Sequence, residues 1–112
     1  MKLPSEASLL RIFIGESDKV DGKPLSEVIV EMARERGLAG ATVLRGFLGF
    51  GANSRIHTTK VLRLSEDLPV VVEIVDSEEN INSFLPELDS LISEGLVTLE
   101  KVRIIAYRHN GE

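Results

Sequence analysis

The chain has 112 residues, with 18 acids against 13 lysines and arginines and a formal net charge of -5. That length suits about one domain with a two-layer core. The acidic balance, 4% aromatics and absence of Trp argue against a nucleic-acid surface, which needs a basic stripe and stacking rings. The absence of Cys excludes disulfides, zinc–thiolate sites and thiol catalysis.

Residues 1–6 hold no apolar signal core, and no apolar run approaches the roughly 20 residues of a membrane span. The expectation is a single cytoplasmic domain over residues 1–112. Residues 8–14 read as a strand ended by Gly15, with Leu10, Ile12 and Ile14 on one face and Leu9, Arg11 and Phe13 on the other. Residues 16–23 are a polar connector. Pro24 opens a helix, where a missing N–H costs least. Leu25, Val28, Ile29, Met32 and Ala33 keep the spacing of one buried stripe, and Gly37 is placed to end the helix in the left-handed region.

A second strand is expected over residues 41–50. Gly46, Gly49 and Gly51 lie where it runs into a polar loop, residues 51–59, and glycine in a strand marks a bulge or a close approach. Residues 60–64 read as a further short strand and 65–69 as a turn. Residues 70–75 are β-branched at nearly every position and make the clearest strand. Asp76-Ser77-Glu78-Glu79 offers an Asp-x-x-Glu variant of the capping box. The second helix buries Ile81, Phe84, Leu85, Leu88 and Ile92, bends at Pro86 and ends at Gly95. The last strand spans residues 98–108, with Val102, Ile104 and Ala106 opposed to Arg103, Ile105 and Tyr107.

This order of strands and helices indicates an α+β ferredoxin-like (βαββαβ) sandwich, an antiparallel sheet with both helices on one face. The strands are apolar on both faces, whereas a half-solvated antiparallel sheet alternates apolar and polar. A second copy of the chain is the simplest cover for the bare face. His57 and His109 have no Asp or Cys at metal-ligand spacing, so no metal site is expected. The cations and glycines are more informative. Arg45, Arg55, Arg103 and Arg108, with His57 and the backbone of Gly46, Gly49 and Gly51, form a candidate anion-binding set if the central loop packs near a neighbour's last strand. The glycine spacing matches neither a Walker nor a Rossmann fingerprint.

Three stretches, residues 40–52, 54–59 and 68–76, together with the ending at 94–100, make the chain resemble an uncharacterised prokaryotic family related to the PII signal proteins. The resemblance covers nearly the whole chain. It implies a ferredoxin-like subunit in a homotrimer whose sheets face the three-fold axis. It also implies a nucleotide between subunits and a loop after the second strand, here 51–59, that engages a target protein. Gly46-Phe47 and Gly49-Phe50-Gly51 both resemble the Gly-Phe-Gly at the base of the PII loop. The PII glycine-rich turn with its phosphate-binding lysine is not reproduced: Ser93-Glu94-Gly95 stands there, with Lys101 further on. The leading expectation is a regulatory module binding a small anionic ligand. The alternatives are an enzyme on an anionic substrate using Arg55 and His57, or a trimer that binds metal or scaffolds a partner.

Overall fold

The computed structural model describes residues 3–50 and 67–109. Its elements are β1 (Glu6–Gly15), β2 (Lys19–Val20), β3 (Lys23–Pro24), α1 (Leu25–Glu35), β4 (Thr42–Arg45), β5 (Pro69–Asp76), α2 (Glu78–Leu91) and β6 (Leu96–Arg103). Among the described residues the main sheet has four strands in the order β4-β5-β1-β6. Each neighbouring pair is antiparallel. This is the ferredoxin-like arrangement, with β2 and β3 as a small added hairpin. The strand expected at 60–64 and the loop 51–59 lie outside the described residues.

Both helices cover one face. Leu10, Ile12 and Ile14 of β1 and Val70, Val72 and Ile74 of β5 pack with Leu25, Ile29 and Ala33 of α1 and Ile81, Phe84 and Leu88 of α2. The helical stripe meets the period-two apolar phase of the two central strands, and each side removes the other from water. α1 ends in a Schellman motif: the Leu38 amide donates to the Ala33 carbonyl, the Gly37 amide to the Arg34 carbonyl, and Gly37 has φ +75°.

Several local expectations are corrected. Residues 16–23 are not a plain connector, because they hold β2 and half of the hairpin. Pro24 precedes the first helical residue, and the Leu25 amide is met by the Asp18 carbonyl at 2.8 Å. The cap of α2 is Ser77, whose hydroxyl accepts from the Asn80 amide at 3.1 Å, so the capping box does not start at Asp76. β4 closes at Arg45 in unbroken register, without a bulge. β6 closes at Arg103, which leaves Ile105 off the sheet and 80% exposed. α2 ends at Leu91, and Gly95 serves another purpose. A Cβ there would stand 2.7 Å from the Phe13 carbonyl oxygen, so Gly95 lets the chain enter β6 flush against β1.

The helices cover the outer strands only in part. Val43 of β4 and Val97 and Leu99 of β6 lie in the helix-facing phase yet are 43%, 39% and 46% exposed. On the opposite, open face, Leu44, Val71, Phe13 and Leu96 form one row across all four strands. Leu44 and Leu96 at its ends are 49% and 56% exposed. Beside that row, Arg11 donates to Glu73 at 2.9 Å and to Glu100 at 2.5 Å.

Candidate functional site

One end of the open face carries a cleft of about 760 Å³, within the size range of small-ligand sites. The approach to β4, Ala39, Gly40 and Ala41 with Thr42, forms one wall. Glu73 and Val75 of β5 lie on the floor, and Arg103 at the end of β6 leads into a second wall that runs through Tyr107. The second wall exists because the chain leaves the ladder. The Ile104 amide donates to the Ser5 carbonyl at 2.6 Å, and the segment then crosses until the Tyr107 hydroxyl reaches the Ala39 carbonyl at 3.5 Å, a weak closing contact.

The charges in the cleft are unequal. Glu73 is engaged by Arg11, so its charge is largely compensated. The Arg11 guanidinium is held above its ordinary value, first by the hydrogen bond to Glu73, then against desolvation by its bond and charge interaction with Glu100. Arg103 makes no ion pair with any described residue. By strand alternation Arg103 continues the phase of Val97 and Leu99, so it stands at the rim of the cleft and also lines a second hollow with Glu6, Glu78 and Lys101. A guanidinium with no ion pair among the described residues suits an anionic guest. The Thr42 hydroxyl and the backbone groups of Gly40 and half-buried Ala41 add polar groups on the facing wall.

Of the residues expected from sequence, Arg103 stands in the cleft wall. Arg45 does not: its Nε and a terminal nitrogen engage both oxygens of Glu16, at 2.6 and 3.1 Å. Arg45 and Arg103 also lie on the two outer strands, separated by β5 and β1, a span of roughly 14 Å at ordinary strand spacing. Within one chain they do not converge. Gly46 and Gly49 pack on Pro69, whose Cγ would lie 2.8 and 3.0 Å from a Cβ at either position, and this close approach accounts for both without a ligand. Arg108 is exposed just past Tyr107. Gly51, Arg55 and His57 lie outside the described residues. Among the described residues, no group of three or more His, Cys, Asp or Glu is placed to hold a metal.

Sequence reasoning missed Thr42, Glu73 and Tyr107 as cleft residues. One signal was available: Glu73 is the only charge in the apolar run 70–75. A charge there is costly unless something answers it.

Strand order, pairing and the one-sided helix layer define an α+β, ferredoxin-like domain with a ligand-sized cleft at one end of its sheet. The family DUF190, described as Uncharacterized ACR, matches residues 7–104, and the chain belongs to that family. A UPF0166 protein of Aquifex aeolicus is 47% identical over 97 residues, 87% of this chain and 91% of its own length. A UPF0166 protein of Methanocaldococcus jannaschii is 38% identical over 95 residues, 84% of this chain and 87% of its own. Among solved structures, a putative PII-like signalling protein of Thermus thermophilus superposes with a TM-score of 0.61 at 19% identity, over 89% of this chain and 90% of that one. CPII of Thiomonas intermedia K12, bound to ADP and bicarbonate, superposes at 0.56 and 16% identity over 88% of each chain. These structural likenesses establish the PII-like fold. No helix among the described residues is long and apolar enough to cross a membrane.

Proposed function

We propose that the chain is one subunit of a PII-like homotrimeric signalling module of the cytoplasm that binds a small anionic ligand, a nucleotide such as ADP, between subunits. The observation that carries this reading is the ligand-sized cleft at the end of the sheet, with Arg103, which makes no ion pair with any described residue, at its rim. The separation of Arg45 and Arg103 supports a site completed by a neighbour, whose loop would bring further donors to the same anion. CPII, with the same fold, binds ADP with bicarbonate in one structure and ADP, AMP and acetate in another, so anions are suitable probes. In this proposal residues 51–59 contact a target protein, and Arg55, His57, Gly51 and Arg108 contribute to the anion from the loop and the segment after the cleft wall.

The test is calorimetric titration with ADP, AMP, ATP and bicarbonate. At least one nucleotide should bind saturably. Arg103→Gln should weaken it about tenfold or more, the scale of a lost charge-assisted hydrogen bond. Arg45→Gln in the same titration reads the contribution of a cation already held by Glu16 and should change affinity far less. Absence of nucleotide binding, or an Arg103→Gln protein with unchanged affinity, overturns the reading.

A further inference from the structure

Asp76 is a carboxylate with 0% exposure where β5 passes into α2. A buried charge of this kind persists only when its oxygens are answered. The Ser77 amide donates to Oδ1 at 2.6 Å and the Asn80 side-chain amide to the same oxygen at 3.0 Å. Both belong to the start of α2. The other oxygen, Oδ2, accepts from the Ala39 amide at 2.8 Å. That third bond is of a different kind, because Ala39 belongs to the cleft wall.

At the start of α2 Asp76 divides the capping with Ser77, whose hydroxyl takes the Asn80 backbone amide while Asp76 takes the Ser77 amide and the Asn80 side chain. The long-range bond to Ala39 is made by Asp76 alone among the described residues. Residues 38–41 are in neither helix nor strand, so nothing regular fixes the wall before β4 begins. Ala39 is also the residue whose carbonyl receives the Tyr107 hydroxyl from the opposite wall. One face of this peptide is thus held by the carboxylate, and the next carries the contact that closes the cleft.

We propose that Asp76 is the positioning residue of the cleft: through the Ala39 amide it sets the wall that a nucleotide meets and ties that wall to the N-terminus of α2. The proposal rests on the nucleotide reading of the cleft. It makes α2 the element that senses occupancy, since a ligand that moves the wall loads the hydrogen bond at the start of the helix.

The experiment compares Asp76→Asn with Ser77→Ala by ADP titration, thermal melting and amide hydrogen exchange at Ala39. Asn keeps the side-chain volume but has one acceptor oxygen facing donors from two sides, and the two donors at α2 hold that oxygen. Asp76→Asn should therefore speed Ala39 exchange and raise the ADP Kd, each about tenfold, on the scale of one lost hydrogen bond. Ser77→Ala should lower the melting temperature and leave both readouts as in wild type. If Asp76→Asn does not fold, Asn80→Ala, which removes an exposed side chain steadying the same carboxylate, is read the same way and should raise the Kd about threefold. Wild type that binds ADP, with Asp76→Asn indistinguishable from Ser77→Ala in Kd and exchange, overturns the positioning role alone. Wild type that takes up no ADP overturns the nucleotide reading and this proposal with it.

Discussion

Replacing Leu96 by Glu tests the homotrimer while sparing the monomer. Leu96 begins β6, pairs with Phe13 on the open face and is 56% exposed. Full burial of a leucine is worth about 1.5–3 kcal/mol, so covering its exposed half adds about 1 kcal/mol. The whole row of Leu44, Val71, Phe13 and Leu96 supplies about 3 kcal/mol per subunit, since Val71 and Phe13 are already more than half buried, or about 9 kcal/mol per trimer. Association costs about 4–15 kcal/mol for each subunit that joins, so the row meets only the low end of that cost and leaves no margin. A glutamate at position 96 removes the leucine term and buries an unpaired charge worth several kcal/mol, about 3 kcal/mol per copy as a low total. Across a trimer that is about 9 kcal/mol, or roughly a million-fold in the assembly constant. In an isolated subunit the same side chain points to water, and the change should stay within about 0.5 kcal/mol. Sedimentation with circular dichroism should therefore show a trimeric wild type and a folded, monomeric Leu96→Glu protein. A variant that still sediments as a trimer, or a wild type that is a folded monomer at micromolar concentration, would refute the covered open face.

Gly95→Ala places a methyl group 2.7 Å from the Phe13 carbonyl in a backbone with φ +145°, and should destabilise the fold by about 1–3 kcal/mol in denaturant melts; an unchanged midpoint would mean that β6 enters with slack. Pro86→Ala restores the amide that can donate to the Asn82 carbonyl within α2 and should stabilise the fold by about 1–3 kcal/mol, raising the melting temperature by roughly 4 °C or more for each kcal/mol, because Pro86 lies inside the helix and is exposed. A lower melting temperature would show that the tertiary contacts of α2 require the proline.

The central layer was legible in the residue pattern alone. In β5, Val70, Val72 and Ile74 are buried and alternate with half-exposed positions, and Leu25, Ile29 and Ala33 keep the helical period of α1. Such patterns are local, because one buried face repeats every second residue in a strand and about every 3.6 in a helix. Gly37 was legible for the same reason, its turn being set by its own backbone freedom. The apolar faces of the outer strands were also visible, and the structure shows them only partly covered. Where β4 and β6 end was not legible, because Phe47, Ile105 and Tyr107 look as strand-like as their neighbours; only the length of the partners β5 and β1 decides where the ladder stops. The cleft belongs to tertiary structure for the same reason. Ala39, Glu73 and Arg103 are distant in sequence and share no period, and their meeting follows from β5 and β1 lying side by side in the middle of the sheet, with the chain passing the same end of that sheet before β4 and after β6.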